Sequence, residues 1–394
     1  MGKLRRAAAA LLLAALVFTG CSTRPAAPQT EAPAPVPAAS AAPLPIDGAE
    51  AVEAALENMT LEEKVGQLFF VRADVLDPHA GGLTEMTVTA GAMLVRCGVG
   101  GVVLFEDNIE SPAQLRELTA ALQRASKTPL LIAADEEGGA VSRLANTPSL
   151  GLPRYPGAAA VGPGGTAAAE EMGRTIGQYL RDYGVAMDFA PVADVNTNPA
   201  NPVIGPRAFS SDAAQAASLA GAMASGLRAS GVIPVYKHFP GHGDTAEDSH
   251  FGLAVSSKTA EELRACEWLP YIRNDLTGCA VMVGHIALPA VTGDMTPASL
   301  SERVVTGYLR GELGFEGLVI TDALAMGSIT LAYSSGEAAL AALRAGCDVL
   351  LMPASLLEGY ETVLTAVRSG ELPESRIDES VRRILTYKAA VGLL

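Results

Sequence analysis

Apolar residues in this chain come in short, nearly unbroken runs set apart by longer amphipathic stretches. Eight runs stand out: 67–71, 101–105, 129–134, 185–190, 231–236, 279–283, 317–320 and 347–352. A strand with one wet face alternates apolar and polar positions, whereas a continuously apolar run of this length is a strand covered on both faces. The stretches between the runs supply helices, the first opened by Thr60-Leu61-Glu62-Glu63 in the manner of a capping box. Eight strand–helix units over about 340 residues predict an α/β fold, a (β/α)8 TIM-type barrel in a single domain.

The first 46 residues break this pattern. Lys3, Arg5 and Arg6 precede an apolar stretch from Ala7 to Phe18 that is too short to span a bilayer as a stable anchor. Phe18-Thr19-Gly20-Cys21 resembles the lipobox of bacterial lipoproteins, with Cys21 as the lipidated residue. Residues 1–20 are therefore expected to be a lipoprotein signal peptide. Residues 21–46 are rich in Pro and Ala and cannot build a core; as an extended tether they would reach about 70 Å. The folded domain is expected over residues 47–394.

Composition narrows the partners. The net charge of −15 becomes −18 once the three cations of the leader are removed, and such a surface repels nucleic-acid phosphates. No nucleic-acid partner is expected, and a monomer is. Aromatic residues make up only 5% of the chain while Ala and Gly abound, which predicts closely apposed helices and strands. Cys97, Cys266, Cys279 and Cys347 fit no zinc spacing; Cys279 and Cys347 open apolar runs and are expected as buried thiols.

The polar residues concentrate where the strands end. Asp135-Glu136-Glu137 follows the third run, Asp194 the fourth and Lys237-His238 the fifth, while His285 ends the sixth and Asp322 the seventh. Barrels of this class carry their sites at the C-terminal ends of the strands, so one mouth would collect Asp135, Lys237, His238, His285 and Asp322. The loop 237–250 (KHFPGHGDTAEDSH) is the densest in titratable groups and holds three of the five histidines. Asp248 and His250, two apart, would share a face of an extended segment.

No His-Glu-x-x-His or Cys/His metal spacing occurs, and Lys237 beside His238 would repel a cation, so no metal or other cofactor is expected. No P-loop, dinucleotide fingerprint or Gly-x-Ser-x-Gly elbow is present. A carboxylate on a strand end, with a His and an acid on a separate glycine-hinged loop, suits glycoside cleavage. That reaction needs one group at the anomeric carbon and another to protonate the leaving oxygen.

The loop KHFPGHGDT (237–245) followed by Asp248-Ser249-His250 resembles the signature of family 3 glycoside hydrolases of the β-N-acetylglucosaminidase type. Further matching stretches are DEEGG (135–139) with Arg143, NPVIGPRAFS (201–210), HIALP (285–289), PASLS (297–301) and LGFEGLVITDAL (313–324). The chain departs from the family's frequent Gln and Arg at Glu136 and Ala140. The resemblance implies a retaining, exo-acting hydrolase of terminal β-linked GlcNAc. Asp322 would form the covalent glycosyl-enzyme, His250 would act as acid/base, and Asp248 would orient His250. Asp135, Arg143, Arg207, Lys237 and His238 would hold the sugar. It also implies a site built from the barrel alone, with the C-terminal residues as an ordinary closing helix.

Export and the anchor on Cys21 place such an enzyme at the bacterial cell envelope, bound to the membrane through lipid. Its substrates there would be GlcNAc-containing muropeptides from peptidoglycan. Two other readings are a β-glucosidase of the same fold, whose members lack the His–Asp loop, and an exported sugar-binding lipoprotein without catalysis.

Overall fold

The computed structural model describes residues 48–247 and 252–394. Eight parallel strands form a barrel: β1 (Phe69–Arg72), β2 (Gly101–Leu104), β3 (Leu131–Ala134), β4 (Met187–Asp188), β5 (Ile233–Phe239), β6 (Ala280–Val283), β7 (Val319–Thr321) and β8 (Leu350–Leu351). Neighbours in sequence are neighbours in the sheet, and β8 returns to pair with β1. Between β7 and β8 the ring is closed by the parallel bridge of Ile320 with Val349 and by Thr321 N–H donating to the Val349 carbonyl at 3.0 Å.

Each predicted apolar run supplies one strand, and the side chains are buried on both faces because helices cover the outside and the barrel interior is filled. The trimming of the runs has local causes. Pro191, lacking an N–H, follows the end of β4 closely, and Asp348 turns its carboxylate into hydrogen bonds instead of continuing β8 backwards. β5 goes the other way: it runs three residues past Tyr236, so Lys237 and His238 belong to the strand itself and not to the loop after it. The Thr60–Glu63 capping box forms as expected, with Thr60 N–H donating to Glu63 Oε2 at 3.1 Å and Glu63 N–H to Thr60 Oγ1 at 3.3 Å.

The small residues do allow close packing. Helices Gly165–Asp182 and Ala213–Ala229 touch through Gly173 and Gly226, where a Cβ would fall 2.1 Å from the carbonyl oxygens of Met223 and Glu170 respectively. Cys279 and Cys347 are fully buried next to β6 and β8, and none of the four cysteines from 97 onward is in a disulfide.

The C-terminal helix, Glu374–Ala390, is more than a closing segment, because it floors the barrel. Tyr387 Oη donates to the Cys279 carbonyl at 2.6 Å and accepts from Leu318 N–H at 3.3 Å, joining the starts of β6 and β7. Arg376 donates to the Cys347 carbonyl (2.7 Å), and Lys388 reaches Gln67 Oε1, just before β1. Asp348, wholly buried, accepts from Arg310 (2.6 Å), Arg383 (3.0 Å), Ser380 (2.8 Å) and Val319 N–H (3.0 Å). Helix Ala49–Glu57 packs on this floor through a two-pronged Arg382–Glu53 pair, and Gly48 lies against Ala389. Among the described residues no helix is long and apolar enough to cross a membrane. Cys21, with the rest of the leader and tether, lies outside the described residues.

Candidate active site

At the opposite end from that floor, the C-terminal ends of the strands surround a cavity of about 440 Å³. Asp135, Arg143, Arg207, Lys237, His238 and Asp322 all line it, so six residues chosen from sequence meet in one place. His285 does not line the cavity. It is fully buried behind the wall, where its Nε2 donates to the Ala323 carbonyl (3.0 Å) and its Nδ1 pairs with Ser299 Oγ (2.7 Å). Since a carbonyl only accepts, Nε2 carries a proton, and the Ser299 hydroxyl holds the ring from its other side. His285 thus braces the backbone just after Asp322 and is not a group at the mouth. Asp248 and His250 lie outside the described residues.

One side of the cavity is an ion network in which every charge has a partner. Lys237, 2% exposed, places Nζ 2.7 Å from Asp135 Oδ1 and 2.5 Å from Glu137 Oε1. Glu137 in turn grips the Arg207 fork with both oxygens, at 2.8 and 2.7 Å. Arg143 reaches Asp135 Oδ2 (3.2 Å) and Glu106 (3.1 Å), its guanidinium stacked over Phe105. Burial pushes the Glu137 carboxyl up, but Lys237 and Arg207 outweigh burial and bring it down to about 2. Burial likewise opposes the charge on Lys237, yet Asp135 and Glu137 hold its pKa above the usual lysine value. The network is therefore ionised across the ordinary pH range and presents fixed donors and acceptors to a polyhydroxylated ligand.

Asp322 faces this network from the end of β7. Its N–H donates to the Val283 carbonyl, and its Oδ1 accepts Ala323 N–H at 2.8 Å. Burial raises its pKa, but His238, His285, the Ala323 N–H and Lys237 together leave it below the usual aspartate value. A carboxylate kept ionised at a cavity wall is available as a nucleophile.

His238 is set by a residue to which sequence reasoning gave no role. Asp194 Oδ2 accepts from His238 Nδ1 (2.7 Å) and from His238 N–H (3.2 Å), while Oδ1 accepts His242 N–H at 2.6 Å. Nδ1 is thereby the donor nitrogen, and the opposite ring edge is presented to the cavity. Asp194 and Glu137 both hold groups that touch the ligand space. Asp194 had no sequence signal but a carboxylate just beyond an apolar run, and Glu137 had that together with its place in the DEEGG stretch. His242 was passed over as well; it lines the cavity with Nδ1 on Thr245 Oγ1 (2.7 Å), and burial lowers its pKa.

Glu136, one of the two departures from the family pattern, points away from all this. It is fully buried, with its carboxylate accepting Leu144 N–H (2.8 Å), Ala145 N–H (3.1 Å) and Tyr179 Oη (2.9 Å). Its work is to shape the turn that carries Arg143.

The start of the loop after β5 is tied down closely. Gly243 lies where a Cβ would fall 1.9 Å from the Val195 carbonyl oxygen, so no larger residue fits. Asn198 N–H donates to the Gly243 carbonyl (3.0 Å), and Asn201 Nδ2 donates to the carbonyls of His242 (2.7 Å) and Thr245 (3.0 Å).

Residues 60–387 match the family model described as the glycosyl hydrolase family 3 N-terminal domain. The chain is 36% identical to beta-hexosaminidase LpqI of Mycobacterium tuberculosis, covering 97% of this chain and 95% of that one. It is 33% identical to beta-hexosaminidase A of Pseudoalteromonas piscicida, covering 78% of this chain but only 56% of the longer relative. A solved family 3 beta-N-acetylglucosaminidase from Paenibacillus sp. superposes with a TM-score of 0.80 at 39% identity, over 85% of this chain and 63% of that one. With a barrel whose strand ends gather the family's matching residues around one cavity, the chain belongs to glycosyl hydrolase family 3.

Proposed function

We propose that the protein is a retaining, exo-acting β-N-acetylglucosaminidase that removes terminal β-linked GlcNAc. The observation that carries this reading is the placement of the Asp322 carboxylate across one small cavity from the Asp135–Lys237–Glu137–Arg207 network and His238. The network has the donors and acceptors to grip the hydroxyls and acetamido group of one sugar ring and so bring its anomeric carbon to Asp322. Relatives named beta-hexosaminidase and beta-N-acetylglucosaminidase support the substrate class.

In the first half-reaction an Asp322 oxygen bonds to the anomeric carbon as the bond to the aglycone oxygen breaks. That oxygen takes a proton from His250. In the second, water gives a proton back to His250 and its oxygen displaces Asp322, releasing the sugar with its original configuration. Asp248 holds His250 in the orientation for both transfers. The presence in the sequence of Asp248 two residues before His250 favours a hexosaminidase over a β-glucosidase of the same fold.

The leader and the Pro/Ala-rich stretch support a further part of this reading: an exported monomer, lipid-anchored to the bacterial membrane through Cys21 and acting on GlcNAc-containing muropeptides. Turnover of p-nitrophenyl β-GlcNAc by the parent, and its loss in both Asp322→Ala and His250→Ala, is the expected result. Tight sugar binding by the parent without turnover would replace the enzyme with a carrier. A slow fluorinated GlcNAc glycoside should leave a sugar adduct on the peptide containing Asp322.

A further inference from the structure

The segment 246–253 lies between two stems, and the described residues at its ends are joined to each other. The first stem, Gly241–Thr245, leaves β5 and is fastened to residues 195–201 as described above. The second returns as Ala254–Val255, which pairs in parallel with Ile286–Ala287 just beyond β6, and Ser256 N–H donates to the Ala287 carbonyl at 3.0 Å. Asp244 spans the gap between the stems. Its Oδ1 lies 3.2 Å from Lys258 Nζ, its Oδ2 accepts Ser256 Oγ at 3.3 Å, and Thr197 Oγ1 donates to Oδ1 at 3.3 Å.

Lys258 is held in turn by Glu267 Oε1 at 2.5 Å. Glu267 is 1% exposed and packed beneath Gly241, where a Cβ would meet its Cβ and Cγ at 2.5 Å. The ammonium is thus positioned by a buried anion on the helical side and reaches back across the stems to Asp244. None of these three side chains lines the cavity.

We propose that Asp244 is a positioning residue for the reaction: through Lys258 and Ser256 it fixes the spacing of the two stems, and with it the place from which His250 delivers its proton. This rests on the reading of His250 as acid/base. The physical argument is one of register. Four residues separate Thr245 from His250 and three separate His250 from Ala254, so the two covalent tethers bound where His250 can reach from the stems, and the stem spacing sets those bounds. A displacement of about 1 Å in a reacting group can cost on the order of 10²-fold in rate.

Proton donation matters in proportion to how poor the leaving group is. Two substrates with the same GlcNAc therefore separate a misplaced acid from a damaged sugar site: N,N′-diacetylchitobiose, whose alkoxide must be protonated, and 2,4-dinitrophenyl β-GlcNAc, whose phenolate leaves unaided. Asp244→Ala is the test, because it keeps the Lys258–Glu267 pair and so leaves no buried charge alone. Asp244→Asn removes only the ion pair, and Lys258→Arg restores a cation.

The expected result for Asp244→Ala is a fall of about 10- to 10²-fold in kcat/KM on the disaccharide, against less than about threefold on the dinitrophenyl glycoside. Asp244→Asn should fall between it and the parent, and Lys258→Arg should stay near the parent. An equal loss on both substrates, or none on either, overturns the proposal, the former marking a merely structural residue. His250→Ala measured in parallel tells the two readings apart. If it shows no preference for the good leaving group, the acid/base reading and this proposal fall together. If it shows that preference and Asp244→Ala does not, only the cross-link is wrong.

Discussion

Glu137 offers the sharpest test of the charge network, because its environment fixes both a magnitude and a pH window. Its carboxyl is 2% exposed, is gripped by the Arg207 fork and by Lys237 Nζ, and titrates at about 2 where 4.5 is ordinary. A depression of that size corresponds to about 3 kcal/mol of stabilisation, using roughly 1.4 kcal/mol per pH unit. The same magnitude follows from a different route: removing one member of a buried pair typically costs about 3–5 kcal/mol, since the partner charge is left stranded. Glu137→Gln keeps the shape and one acceptor oxygen, so the lower figure applies.

A carboxyl whose pKa is lower folded than unfolded contributes its full stability above the unfolded value and loses it as pH falls toward the folded one. The deficit of Glu137→Gln should thus be about 3 kcal/mol at pH 7 and shrink between about pH 4.5 and pH 2. Urea unfolding followed by circular dichroism at pH 7, 5, 4 and 3 reads this directly. A deficit under about 1 kcal/mol at pH 7, or one unchanged down to pH 3, would refute the claim that Lys237 and Arg207 depend on Glu137.

Other positions test other parts of the structure. Ser299→Ala removes the 2.7 Å bond that holds the His285 ring on one side, so stability should drop by about 1–3 kcal/mol and kcat should fall with KM little changed, as read in steady-state kinetics. Gly243→Ala should displace the loop stem from the Val195 carbonyl, costing about 1–3 kcal/mol and most of the turnover of p-nitrophenyl β-GlcNAc. Tyr387→Phe removes the floor contacts to β6 and β7; unfolding free energy should drop by about 1–3 kcal/mol while kcat stays that of the parent. Lys388 is wholly buried, and burial lowers its pKa to about 7. The unfolded chain keeps the proton longer, so parental stability should climb as pH rises from about 7 toward 10, and Lys388→Met should abolish that climb in a pH series of melts.

What could be read from sequence follows the range of the forces involved. The eight strands announced themselves because burial on both faces leaves a local mark, an unbroken apolar run. Asp135, Lys237, His238 and Asp322 were visible because each stands at or just past the end of such a run, and the barrel then forces strand ends to one side; Arg143 and Arg207 were carried only by the family resemblance. Glu137 and Asp194 followed runs too, but their roles depend on which cation or imidazole the closed ring brings opposite, across 70 residues for Glu137 and Arg207. His285 shows the same blindness with the opposite outcome: a histidine at a strand end can as well turn into the wall. The extension of β5 escaped notice because Lys237 and His238 are polar, and only their partners Asp135, Glu137 and Asp194 let them be buried in a strand. The flooring by residues 374–390 has no local signature, since its polar contacts are with residues scattered over the whole chain.

The floor also decides where the described chain joins the ring. Gly48 and the helix after it sit beneath the barrel against residues 374–390, at the far pole from the cavity. The described chain therefore enters the fold at the base of the ring, and a ligand reaches the pocket without passing that junction. A pull applied at Gly48 would load the Glu53–Arg382 contact and the base of the ring first, and the pocket would be the last part to feel it.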